Sequence, residues 1–291
     1  MWLLTVRFPK NSVIFCKITC GGFVRAMDVS ANICDEEVVT NLSTVLQRLE
    51  VATNRLRETD RWVGRLPKLV AVSKTKPSFL IRCCYDKGHR MFGENYVQEL
   101  EAKAQQLKDT CPDIEWHFIG RLQSNKIAKL AAINNLKCIQ TVCSVKHCDI
   151  LNKEMKKRNK KMTVFIEVNT SGEEEKSGVK PDEAADLAEY VQKNCSSLLL
   201  GGFMTIGSFE ASVSEERNPD FDLLYDVRRR YCARSGSSPA DFDLSMGMSH
   251  DFESAIYQGR QIIKQNALPN QGLHMPDRKV DHGITKEVAE I

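Results

Sequence analysis

A closed (β/α)8 barrel of the TIM type is the fold class this α/β sequence predicts, and three observations predict it. Short apolar runs alternate with longer amphipathic segments, which calls for parallel strands joined by crossover helices. Polar residues collect just after each apolar run, as they do at the carboxyl rim of such a barrel. The segment after the first run, Ser73-Lys74-Thr75-Lys76, lacks the glycine fingerprint that an open dinucleotide-binding sheet needs. Seven strands are recognisable where a barrel of this class uses eight, so the eighth is expected to be altered or missing.

The elements follow in chain order. Over 36–58, Val38, Val39, Leu42, Val45, Leu46, Leu49, Val51, Ala52 and Leu56 recur at helical spacing, an amphipathic helix ahead of the first strand. Leu69-Val70-Ala71-Val72 is a continuous apolar run with two β-branched residues, the pattern of a buried strand, and Pro77 stops its ladder. Further strands are expected at 90–93, 115–120, 137–142, 163–169, 198–206 and 243–247. Helices are expected at 94–106, 124–132, 145–158, 181–194, 221–234 and 251–258, with Glu94 favouring a helix N-terminus through the macrodipole.

The strand ends carry the chemistry. Lys74 closes the first strand, where α/β proteins bind ligands, and an amine desolvated there becomes a nucleophile towards aldehydes. The bland alternative is an ordinary lysine at a strand end. Asn95 follows the second strand as a neutral donor and acceptor, equally well read as a helix cap. His117 lies within an apolar strand and reads as a satisfied core group without a catalytic role. After the seventh strand, Ser245-Met246-Gly247-Met248-Ser249 precedes a helix. Exposed backbone N–H groups, small hydroxyls and a helix start make an anion site there, with a Ser/Asp helix cap as the alternative. A Schiff-base lysine facing a phosphate cradle on one rim points to pyridoxal 5′-phosphate as cofactor.

Composition narrows the class. Of 291 residues 42% are hydrophobic and 27% charged, values of a globular chain. A net charge of +3 is too small to imply a nucleic-acid partner, and no apolar run is long enough to span a membrane. Eleven cysteines are an odd number with irregular spacing and no C-x-x-C pair, so they read as reduced thiols rather than as disulfides or metal ligands. Residues 1–34 form a leader of uncertain status: Arg7, Lys10, Lys17 and Arg25 occur without an acidic residue before Asp28, as in a mitochondrial transit peptide or a non-native leader.

The chain resembles the pyridoxal phosphate homeostasis proteins. The matching pieces are VSKTKP (72–77), FGENYVQEL (92–100), WHFIG (116–120), LQ-x-NK (122–126), NTSGEE-x-KSG (169–178), MTIGSF (204–209), NPDF (218–221) and LSMGMS-x-DFE-x-AI (244–256). The resemblance covers 35–259 and implies an alanine-racemase-like N-terminal barrel carrying the cofactor as an aldimine on Lys74. It puts Asn95 near the cofactor ring and Ser245, Gly247 and Ser249 on the phosphate side. It also implies a carrier without catalytic residues, metal or turnover, serving pyridoxal-phosphate-requiring apoenzymes as a cytoplasmic or additionally mitochondrial monomer. The alternatives are an amino-acid enzyme such as a racemase, or a variant that has lost the cofactor.

That last alternative comes from 260–291. There the family's VRIG strand, whose arginine faces the ring nitrogen, is replaced by Arg260-Gln261-Ile262-Ile263-Lys264-Gln265-Asn266. Counted without gaps, Lys264 falls at that arginine and Asn266 at the following glycine. The segment is expected to be an atypical, poorly structured tail, leaving an unclosed barrel with exposed strand edges.

Overall fold

Eight parallel strands close into one barrel in chain order. They are β3 (Lys68–Val72), β4 (Met91–Glu94), β5 (Glu115–Phe118), β6 (Leu136–Val142), β7 (Met162–Glu167), β8 (Leu198–Met204), β9 (Asp243–Ser245) and β10 (Ile262–Gln265). The computed structural model describes residues 3–7, 13–17, 36–208, 210–211, 217–247, 252–265 and 267–268. The chain divides into two units, Met1–Cys34 and Asp35–Ile291. The first contains an antiparallel pair, β1 (Leu3–Arg7) and β2 (Val13–Lys17), with Leu3 opposite Lys17.

The eighth strand corrects the expectation of an open barrel. β10 is short, but it pairs with β3 from Ile262↔Lys68 to Gln265↔Ala71 and with β9 at Ile262↔Ser245. Ile262 and Ile263 are both buried, so the two β-branched residues supply what a strand needs. The domain therefore runs past residue 259, and β10 lies inside the segment expected to be a loose tail.

Gln261 reinforces the seam. Its backbone N–H donates to Leu244 O at 3.1 Å, and its carbonyl accepts from Lys68 N at 2.7 Å. Its Oε1 accepts from Leu244 N at 3.0 Å and from Arg228 Nη1 at 2.9 Å. Arg228 also donates to Phe242 O at 3.2 Å, so one buried guanidinium ties a helix to the β9–β10 joint.

Val70, Cys138, Phe165, Met204 and Ile262 form one buried cluster. These residues come from β3, β6, β7, β8 and β10, and only the barrel interior brings such strands together. The helices are α1 (Glu36–Leu56), α2 (Ser78–Asp86), α3 (Val97–Gln106), α4 (Ile127–Ala131), α5 (Val145–Lys157), α6 (Ala184–Asn194), α7 (Pro219–Ser235) and α8 (Phe252–Tyr257). α1 buries Val38, Leu42, Val45, Leu49, Ala52 and Leu56, a stripe alternating steps of four and three. α5 and α7 start at side-chain caps, Ser144 accepting from His147 N and Asn218 from Asp220 N.

One helix start differs from expectation. α3 begins at Val97, because Glu94 ends β4 with its side chain buried rather than capping a helix. Of the described cysteines, Cys143 is half-buried, the others are buried, and none is in a disulfide. Among the described residues no helix is long and apolar enough to cross a membrane.

Candidate functional site

Alternation along β3 defines the interior side. Val70 belongs to the central cluster, so Val72 shares its interior side by alternation, and Lys74 follows two residues later in the turn after the strand's carboxyl end. Lys74 is half-buried there. On β4 the same rule points Gly93 inward, and a Cβ at Gly93 would meet Val70 Cγ1 at 3.1 Å. Asn95 follows two residues later, half-buried, and its Oδ1 is enclosed without a hydrogen-bond partner. The loop after β5 approaches it closely: a Cβ on Gly120 would lie 1.9 Å from Asn95 O. Glycine is therefore required at position 120 if the two strand ends are to touch.

The sequence did not single out Glu167. It ends β7, two residues beyond the interior Phe165, and is 3% exposed with Oε2 unpartnered. Burial pushes its carboxyl up to about 7, against the opposing pull of Lys264 and Arg121. Lys264 pairs directly with Val70 across the β10–β3 ladder, so both face the interior. The signal available in the sequence was an acid inside the apolar run Val164-Phe165-Ile166-Glu167-Val168.

A polar chain crosses the barrel below the mouth. Gln140 Nε2 lies 3.0 Å from His117 Nδ1, and Ser245 Oγ donates to Gln140 Oε1 at 2.7 Å. Burial, then Lys68, holds the His117 ring down at about 4, so it is neutral and accepts at Nδ1. This matches its reading as a satisfied core group. The same polarity commits the Ser245 proton to Gln140, leaving that hydroxyl only as an acceptor towards the mouth. Gly247 is buried in the left-handed region at φ 77°. Ser249 and Asn266 lie outside the described residues.

The barrel thus carries an amine in the turn after β3, an enclosed amide oxygen after β4, a near-neutral carboxyl at the end of β7 and a second, interior-facing amine on β10. Partnerless buried polar atoms are costly unless a ligand satisfies them. Asn95 Oδ1 and Glu167 Oε2 are two such atoms, and unsatisfied polar atoms in a barrel with lysines at its carboxyl end and interior fit a polar-ringed aldehyde such as pyridoxal phosphate. Among the described residues no group of three or more His, Cys, Asp or Glu is placed to hold a metal ion.

Known proteins resemble this chain in sequence and fold. The family model for the alanine racemase N-terminal domain matches residues 48–259. The pyridoxal phosphate homeostasis protein of Caenorhabditis elegans is 48% identical over 200 residues, covering 68% of this chain and 82% of the relative. Its human counterpart is 44% identical over 202 residues, covering 68% and 74%. Among solved structures, PipY of Synechococcus elongatus with PLP bound is 27% identical with a TM-score of 0.61, covering 78% of this chain and 97% of that one. An alanine racemase of Clostridium difficile, 14% identical with a TM-score of 0.59 over 79% and 55%, shares the fold.

Proposed function

Because the chain belongs to the pyridoxal phosphate homeostasis protein family, we propose that it holds pyridoxal 5′-phosphate on the Lys74 amine as a carrier, without turning over a substrate. The observation that carries this reading is the position of Lys74, in the turn that follows β3 at the carboxyl end of the barrel. When bound, the cofactor supplies an aldehyde, with which an amine condenses by loss of water. Lys74 is the nucleophile. Asn95 and Glu167 present polar groups to the ring, and Gly247, with Ser245 as acceptor, takes the phosphate side, to which the family resemblance also assigns Ser249. Lys264 adds positive charge to the same interior. Pyridoxal-phosphate-requiring apoenzymes are the recipients, a monomer is the working form, and the cytoplasm, with mitochondria in addition, is the compartment. Closure of the barrel by β10 removes one ground for a form that has lost its cofactor site, the open barrel.

A second reading, an amino-acid enzyme, draws on one observation. Glu167 has the near-neutral carboxyl that proton transfer at a substrate carbon requires. Assay of the loaded protein with L- and D-alanine separates the two: turnover that E167Q abolishes supports the enzyme, and no turnover supports the carrier.

The first test is the visible spectrum of the full chain with pyridoxal phosphate, followed by borohydride reduction and peptide mapping. A reducible band is expected, with the label on the Lys74 peptide and absent from K74A. Label spread over surface lysines, or a K74A spectrum like that of the wild type, overturns the assignment.

A further inference from the structure

Lys74 sits at the apex of a strained turn, and a buried ammonium outside the barrel wall holds both of its neighbours. The turn runs Ser73–Lys76, closed by Lys76 N donating to Ser73 O at 3.0 Å. Its third residue, Thr75, has φ 62°, a conformation that favours glycine and disfavours a β-branched side chain. Something must hold it there.

Lys103 on α3 is the group that does so. It is 5% exposed, and its three N–H donors reach Ser73 O at 2.6 Å, Glu94 Oε1 at 2.7 Å and Glu99 Oε1 at 2.6 Å. Glu99 Oε1 also accepts from the Thr75 backbone N–H at 2.6 Å. Ser73 Oγ donates to Glu94 Oε1 at 2.6 Å. One ammonium is therefore bonded directly to the carbonyl before Lys74 and, through Glu99, to the amide after it. An ion pair serving only to dock α3 on β4 would need Glu94 alone. The additional bonds all converge on the two residues flanking Lys74.

We propose that Lys103, acting through Glu99, is a positioning residue that fixes the Lys74 turn so that the amine points into the barrel mouth. This rests on Lys74 being the cofactor lysine. Removing the tether lets Thr75 relax out of the left-handed region, which swings the Lys74 backbone and lowers capture of the aldehyde. Glu99 is part-exposed in the first turn of α3, so E99Q deletes the charged tether while leaving the barrel core intact. T75G supplies a residue that takes positive φ without strain.

The experiment titrates pyridoxal phosphate into the full-length wild type, E99Q, K103M, K103R and E99Q/T75G. It follows the reducible band, the share of borohydride label on the Lys74 peptide, and the apo thermal midpoint. E99Q is expected to weaken cofactor binding about 3- to 10-fold with its midpoint within a few degrees of wild type. K103M is expected to lose more than tenfold and to shift label to other lysines, K103R to recover part of this, and E99Q/T75G to recover most of the E99Q loss. T75G rescue is the readout that a purely structural ion pair would not move. E99Q binding and label distribution equal to wild type, or weakened binding that T75G leaves unimproved, overturn the inference. A wild type that places no label on Lys74 overturns the carrier reading itself, and this inference with it. If K103M does not fold, E99Q and its rescue still decide.

Discussion

Replacing Gly202 with alanine is expected to abolish the folded barrel. Gly202 lies in β8 opposite Asp243 of β9, at φ 148°, and a Cβ there would sit 1.8 Å from Asp243 O and 2.7 Å from its N and C atoms. A non-bonded carbon and oxygen need well over 3 Å, so the β9 backbone would have to retreat by more than an ångström. It cannot do so cheaply. Asp243 is paired with Arg65 at 3.1 Å, and the next residues of β9 are held by Gln261 and, through it, Arg228. Backbone strain at such a φ costs about 1–3 kcal/mol. Overpacking against an immovable partner adds about 1–3 kcal/mol. The joint effect, about 2–6 kcal/mol, reaches at its upper end the whole stability of an ordinary domain, about 5–15 kcal/mol. Gly201→Ala is the contrast: its Cβ would meet the side chains of Thr163 and Phe165, which can shift, and its φ is not in the left-handed range. Urea unfolding followed by far-UV circular dichroism checks this. A folded G202A with the midpoint of wild type would show that β8 and β9 are not packed as described.

Much of this fold was legible because seven strands are apolar runs bounded by turn residues, and their positions agree with the structure to within a few residues. The eighth was not legible because Ile262–Gln265 is four residues long with two apolar members, too short for any period to register. What identifies it is a register with β3, which begins 194 residues earlier, from Lys68 to Ile262. Charged residues failed for a related reason. Glu94 read as a helix start because its partners, Ser73 and Lys103, lie 21 residues before it and nine after it in another element. Lys103 and Glu99 drew no reading, since an i,i+4 pair of this kind is ordinary on a solvated helix and nothing local says that the lysine is buried. Ser245 ends β9, but the direction of its hydroxyl depends on Gln140, 105 positions away. The place of Lys74 just beyond a strand was legible because a four-residue apolar run followed by a turn needs no long-range information.

Glu167 sets the second large expectation, a fall in the stability of the cofactor-free chain between about pH 5 and pH 8. Its carboxyl titrates near 4.5 when unfolded and about 7 in the barrel, so the folded state binds the proton more tightly. The sign follows from linkage. The stabilisation is complete below the unfolded value and is lost as pH rises through the folded one. A difference of about 2.5 pH units corresponds to about 3 kcal/mol, an upper figure for a buried group with two cations nearby. Glu94 and Asp243 are also pushed up by burial and contribute in the same direction, so the raw slope belongs to no single residue. The difference between wild type and E167Q isolates it, because the amide keeps the shape and the other carboxyls remain. Urea unfolding at intervals across this range should show wild type losing about 2–3 kcal/mol relative to E167Q. Lys264→Met should carry the loss to higher pH, since Lys264 is the larger of the two charges opposing the shift. A constant difference between wild type and E167Q across the range would mean that Glu167 is ionised throughout. The mouth would then present a fixed negative charge instead of a carboxyl able to hold a proton.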